Sequence, residues 1–373
     1  TNPPNVKETG IAVTHNGKMY IFRGTDDPAG GNDTNILREL DLSTMVWTTK
    51  TLTGPAVGSS RLSTHTYHNG CLYSMCGVID TNEFFKIDLN TFAVTSLTDF
   101  PTSRYGNAMV YFNEKLVTYG GYSNSVTGYP SDLYEYDLVF GTWSSFTPAG
   151  GPSGRGGHTM DVYNDKIIMV GGATSSHNNE IWELTHDGTN YVWTNVSSNR
   201  TGITEILPST HSSVLYGNKL YLIGDYNSGG TPDNDILVLN LDTYKLIKLD
   251  NIPSGFTNRF YTFAVLYNDV IYIHGGRGKS GGSSTVLNDT WKLPISSKVG
   301  IGTPNPDSKL HVISPEIFDG IRVQHSDSNP AGVYIGYGGI SSIGATRLRL
   351  GSNNTEYMSI DWVGSVGIGT TYP

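Results

Sequence analysis

Arg104, Arg155 and Arg259 each stand nine residues before the centre of a tight turn, at Asn113, Asn164 and Asn268. His158 and His211 stand six residues before two such centres, Asn164 and Gly217, and Tyr261 follows Phe260 beside Arg259. Guanidinium groups grip carboxylates and paired hydroxyls with bidentate hydrogen bonds, and aromatic faces stack on sugar rings. The set Arg104, Arg155, Arg259, His158, His211 and Tyr261, with Tyr105 nearby, therefore suits recognition of an acidic or neutral sugar. A competing use of the same arginines is structural, each pairing with a carbonyl or carboxylate of an adjacent element.

Other chemistries find less support. No Ser-His-Asp set, paired carboxylates or metal cluster can be named from spacing, so the chain is read as a non-enzyme that needs no cofactor. Cys71 and Cys76 lie five apart on one apparent strand and point to opposite faces, which argues against a disulfide. Two thiols alone do not make a metal site. The Asp- and Asn-rich loops at 25–35 and 226–236 lack the ligand spacing of a calcium loop. A formal charge of −9 argues against a nucleic-acid partner. No apolar run approaches the ~18 residues that membrane insertion requires. The chain opens on Thr1, read as a processed or cut end, so the lack of a visible leader carries no weight.

The elements that must position these residues are strands. Glycine makes up 45 of 373 residues and charged residues 15%, a mix suited to short strands and many turns. Six segments repeat a pattern of strand, tight turn, strand and glycine pair. Their turns centre on Asn16, Asn69, Asn113, Asn164, Gly217 and Asn268, spaced 53, 44, 51, 53 and 51 residues apart. Asn-Gly and Asn-Asp suit such turns because they tolerate positive φ. A third strand follows in each unit, as in "ILRELDL" and "LYEYDL", and Trp47, Trp143 and Trp193 mark a fourth. Six such antiparallel units without helical periodicity predict an all-β, six-bladed β-propeller.

The pairs Gly120–Gly121, Gly171–Gly172 and Gly275–Gly276, with the downstream Trp, resemble the kelch repeat over residues 10–295. Arg23–Gly24, Cys76–Gly77 and Gly224–Asp225 depart from it. The resemblance implies that the segments holding Lys7, Ser60, Arg104, Arg155, Pro208 and Arg259 lead into the innermost strands. Those side chains would then ring one mouth of the central channel. It also implies that a chain terminus closes the last blade. The sixth unit ends near Ile295 without a fourth strand, so residues near Val6–Glu8 are expected to supply it. Kelch-like propellers include a copper oxidase with a Tyr–His site. Here His68 of the pair Tyr67–His68 is expected in the hairpin turn, away from the channel axis, so copper is not expected.

Residues 296–373 read as a second, loop-rich unit of short alternating strands that would gain from packing against copies of itself. Val299, Gly300, Ile301, Gly302 and Thr303, then Pro306 and Lys309 to Val312, resemble a segment recurring along the homotrimeric stalks of bacteriophage tail fibres. "VGIGTTYP" at 366–373 begins the phrase again without its second half. In such fibres an intramolecular chaperone often follows and is cleaved after trimerisation; here it is expected to have been removed or to lie beyond this sequence. Val299, Gly300, Ile301, Gly302, Leu310 and Val312 are accordingly the trimerisation candidates.

The combined expectation is a tail-fibre receptor-binding protein. Residues 1–295 would form a six-bladed kelch-like propeller recognising a host surface glycan or outer-membrane protein, and residues 296–373 a small trimerising β-domain. Its partners would be its own copies in a homotrimer, the host receptor and other tail proteins. Its place would be the virion, acting outside the host cell. A fibre-borne glycan-modifying enzyme and a bacterial adhesin with a protein-binding propeller are the alternatives.

Overall fold

The computed structural model describes residues 10–24, 36–58, 60–78, 82–125, 127–226, 236–249, 252–280 and 283–295, and seven strand segments of the tail. The chain divides into two compact units, Thr1–Ile295 and Ser296–Pro373.

In the first unit each repeat folds as an antiparallel meander, its strands hydrogen-bonded in chain order. Blade 1 is Ile11–His15, Lys18–Phe22, Ile36–Asp41 and Val46–Thr51. Blades 2, 3 and 4 follow the same plan from inner strands Thr64–His68, Ala108–Phe112 and Thr159–Tyr163. Blade 5 starts at Ser212–Tyr216 and gains a short extra strand, Thr201–Gly202, laid parallel on Lys245–Lys248. Blade 6 has three strands among the described residues, Phe263–Tyr267, Val270–His274 and Thr290–Pro294. The stretch expected to add its fourth, Val6–Glu8, lies outside the described residues, as do Lys7, Gly302 and most of the two Asp-rich loops. Among the described residues no helix is long and apolar enough to cross a membrane.

Turn chemistry drives the hairpins. Both central residues take positive φ at Asn16–Gly17 (47° and 73°) and at Asn164–Asp165 (47° and 56°), as a two-residue turn between twisted strands demands. Burial then grades outward across each blade. The second strands, such as Lys166–Val170, bury every residue but the first, because neighbouring blades cover both faces. The outermost strands are the most exposed: Val46–Thr51 and Thr142–Phe146 have no buried residue, and Tyr191–Asn195 buries only Tyr191 and Trp193.

Apolar side chains fill the gaps between blades in six clusters, one for each neighbouring pair. The cluster that closes the ring packs Met19, Ile21 and Leu40 of blade 1 on Phe263, Val265 and Tyr272 of blade 6. Thr14 Oγ1 also donates to Leu266 O across that seam at 3.4 Å. His68 is the last residue of its strand rather than a turn residue, and it stacks on Tyr111 with ring centroids 3.6 Å apart.

In the second unit Val299–Ile301 pairs in parallel with Leu310–Val312, matching Val299 to Leu310 and Ile301 to Val312. Gly320–Gln324, Ala331–Gly336, Leu348–Ser352, Thr355–Ile360 and Val366–Ile368 form a separate antiparallel sheet in chain order.

Candidate functional site

The inner strands enclose a channel, and its mouth is tied by a belt of backbone hydrogen bonds. Leu62, Gly106, Gly157, Thr210 and Tyr261 each stand seven residues before a turn centre, and all take left-handed φ, from 54° to 67°. The N–H of Gly106 donates to Leu62 O (3.0 Å), Gly157 to Gly106 O (2.8 Å), Thr210 to Gly157 O (2.7 Å) and Tyr261 to Thr210 O (3.2 Å). The left-handed turn aims each N–H at the preceding blade. This explains why Gly157 has no room for a side chain: a Cβ there would meet Thr210 N at 2.9 Å.

The arginines lie behind this belt, inside the blades. Arg104 Nη1 donates to Gly120 O (3.0 Å) and Asp132 Oδ1 (2.7 Å). Arg259 Nη1 repeats this with Gly275 O (3.1 Å) and Asp289 Oδ1 (2.8 Å), and Arg155 bonds Gly171 O and Glu180. Each carbonyl belongs to the first glycine of a pair, and each carboxylate directly precedes a third strand. Burial alone would raise the pKa of Glu180, but hydrogen bonds from Arg155 and Trp182 outweigh it and hold the carboxyl below its ordinary range. The three arginines are 0–2% exposed. The expectation that Arg104, Arg155 and Arg259 face a ligand at the mouth is therefore corrected, because a buried guanidinium needs a full set of acceptors and the blade supplies them.

His158 and His211 sit on the channel wall but are themselves buried, at 5% and 8% exposure. Burial pushes both imidazoles down to about 3, so they are neutral and offer no charge to an anion. His211 Nε2 is already bonded to Thr159 Oγ1 at 3.0 Å.

What the mouth does present is aromatic. Tyr105, Tyr122, Tyr129, Tyr226 and Tyr261 line a cavity of about 760 Å³ that opens through the ring of inner strands. Tyr122 meets Tyr105 at 5.3 Å and Tyr129 edge-on at 5.2 Å. Phe260 bridges Tyr226 and Tyr261, 4.9 Å from each. Burial raises the Tyr105 and Tyr129 hydroxyls, which stay protonated donors. Of the earlier candidates, Tyr261 remains in this ligand-facing set.

A family model described as the KLHDC2/KLHL20/DRC7 Kelch-repeats domain matches residues 12–224. The chain belongs to the kelch-repeat family. Human Kelch domain-containing protein 10 is 25% identical over 313 residues, covering 74% of this kelch chain and 67% of its own length. Human Kelch domain-containing protein 3 is 27% identical over 176 residues, and human Host cell factor 1 is 26% identical over 253. Those matches cover 42% and 57% of this chain but only 45% and 12% of the relatives. The solved structure of YjhT superposes with a TM-score of 0.62 at 16% identity, over 78% of this chain and 95% of that one, a likeness of fold alone.

Reasoning from sequence missed Tyr122, Tyr129 and Tyr226. Tyr122 and Tyr226 each directly follow a kelch glycine-pair position, at Gly121 and Asp225, so the repeat register carried a signal for both. Tyr129 sits between strands where the blades differ in length, and no register points to it. A further wall residue, Asp161, was also missed. It stands three residues before its turn centre, where the other kelch blades place Val13, Thr66, Val110, Val214 and Val265.

Proposed function

We propose that this kelch propeller is the receptor-binding part of a bacteriophage tail fibre, holding a host surface glycan at the tyrosine-lined mouth of its channel. The observation that carries the reading is the cluster of five tyrosines on the wall of an open cavity of about 760 Å³. Aromatic faces stack on the C–H faces of sugar rings, and phenol hydroxyls orient them. With the arginines turned into the blades and no Lys or Arg among the described lining residues, the reading moves away from acidic sugars.

Binding is favoured over turnover. Glycoside hydrolysis uses two carboxyl groups flanking the bond, and Asp161 is the one carboxylate among the described lining residues. The stalk-like phrase at 299–312 supports the placement on a fibre. Three propellers on one stalk would multiply a modest single-site affinity. The partners are then two further copies, the host receptor and other tail proteins, and the protein acts from the virion outside the host cell without a cofactor.

The test is binding of the full chain to host cells and to a glycan array. Tyr122→Ala with Tyr226→Ala should weaken binding about tenfold, or about 1.4 kcal/mol, with little change in melting temperature. Unchanged binding by the double variant would remove the mouth as the site.

A further inference from the structure

Asp161 occupies a place that blades 1, 3, 5 and 6 give to a valine packed between blades. The valines Val13, Val110, Val214 and Val265 are all buried and belong to inter-blade clusters. A carboxylate there is costly unless its oxygens find donors. One oxygen, Oδ2, is buried and has no hydrogen-bond partner in the protein. Only the Ser213 hydroxyl of the next blade stabilises the ionised form, and burial raises the carboxyl to about 6. Its setting makes the missing donor a specific one. The described residues lining the cavity include no Lys or Arg and no second carboxylate. Its three histidines, His65, His158 and His211, are held neutral by burial, at about 4, 3 and 3.

Asp161 stands four residues along the inner strand from Gly157 of the mouth belt, or about 13 Å at ~3.3 Å per residue. A slender ligand that stacks on the tyrosines can therefore project one end toward the carboxylate. That end should carry positive charge and several N–H donors, because a lone, half-buried carboxylate with one oxygen unpartnered gains most from a charge-assisted donor. Tyrosine ring faces at the entrance favour the same charge on its way in.

We infer that Asp161 anchors a protonated amine within the channel, and that the glycan bound at the mouth ends in a free, non-acetylated amino sugar. The inference rests on the glycan reading above and names its substrate class. The Asp161 side chain lines the cavity and is only half-buried, so an ammonium in the channel can give its under-bonded carboxylate a charge-assisted donor. The acetylated sugar, with one amide N–H and no charge, cannot replace it. Asp161 here binds and does not transfer a proton, so no co-reactant is needed.

The test compares calorimetric binding of N,N′-diacetylchitobiose with that of chitobiose, its fully de-acetylated counterpart, to the full chain at pH 7. The free-amine disaccharide should bind at least tenfold tighter. That preference should vanish in Asp161→Asn and Asp161→Val, the second introducing the residue other blades already accommodate. It should persist in Glu205→Gln, which removes one exposed charge and controls for the overall acidity of the protein. Affinity for the amine should also rise from pH 5 to pH 6 as Asp161 ionises, a range in which the sugar amine keeps its proton and His65, His158 and His211 stay neutral. Equal binding of the two disaccharides, or a preference that survives Asp161→Val, overturns the inference and leaves the glycan reading standing. Binding of Nα-acetyl-lysine amide in place of the sugar would overturn the amino-sugar assignment. Failure of every glycan on the array would overturn both readings.

Discussion

Arg23 of blade 1 donates to Glu83 of blade 2, filling from the neighbouring blade a place that Arg104, Arg155 and Arg259 fill from within their own. Its Nη1 also reaches Cys76 O (2.9 Å), the counterpart of Gly120 O, Gly171 O and Gly275 O. Blade 2 has Ser60 where those blades have arginine, so the guanidinium came from elsewhere while its acceptors stayed. Arg23 takes a left-handed φ of 60° in a glycine-pair position. Arg23→Gly relieves that conformation, so any loss comes from the unpaired acceptors and from the space left by a buried side chain that packs 4.7 Å over the Phe85 ring. Because Glu83 is 28% exposed, the expected cost is about 2–4 kcal/mol, read by urea denaturation. Adding Ser60→Arg should recover at least half of it, and no recovery would refute the shared slot.

The mouth belt makes a second prediction. Thr210 adopts left-handed φ where blades 3 and 4 use Gly106 and Gly157. A β-branched residue is strained there, whereas glycine is not. Thr210→Gly should leave stability unchanged or raise it by up to about 1 kcal/mol, since relieved strain offsets the added chain entropy. Gly157→Ala should instead cost about 1–3 kcal/mol, because its Cβ would press on Thr210 N in the next blade. If both variants melt together, the belt does not order the mouth.

A third concerns pH. The Asp161 carboxyl is raised to about 6 in the folded chain from 3.8, so between those values the unfolded chain ionises first. Stability attributable to Asp161 therefore falls as pH rises from about 4 to 6 and stays low above it. Asp161→Asn should thus exceed the parent in stability by about 1–3 kcal/mol above pH 6, with the difference closing below pH 4. The buried histidines act oppositely. With His158, His211, His65 and His274 lowered to about 3, 3, 4 and 4, acid below about 6.5 protonates the unfolded chain first and both proteins lose stability. The difference between the two melting curves isolates Asp161.

The propeller was legible because its signals are local. Asn16, Asn69 and Asn164 fix turns through their own φ, and runs such as "KIIMV" report burial on both faces. The six registers needed no knowledge of what the blades touch. The site was less legible because spacing gives the position of Arg104 or Arg155 ahead of an inner strand but not whether a carboxylate lies in reach. Asp132 and Glu180 are 28 and 25 residues downstream, and only the meander brings them back. Asp161 was missed for another reason: its meaning lies in departing from a valine register, which shows only when the blades are laid side by side.

The tail carries the last prediction. Val299–Ile301 and Val366–Ile368 share the residues Val-Gly-Ile, yet the first pairs in parallel with Leu310–Val312 and the second antiparallel with Thr355–Ile360. Identical residues with different partners mean that the phrase does not specify its pairing locally; its surroundings do. A parallel pair three residues long is far below what an isolated sheet needs to persist in water. Its apolar residues therefore need cover, and the stalk reading supplies two further copies around a three-fold axis. The full chain should sediment as a trimer, while residues 1–295, whose ring closes on itself through Met19 and Phe263, should sediment as a monomer with an unchanged melting transition. Val299→Asp with Ile301→Asp should convert the full chain to monomers at micromolar concentration. A full chain that is already monomeric would sever the tail from the fibre reading, and a trimeric 1–295 fragment would move the assembly surface onto the propeller.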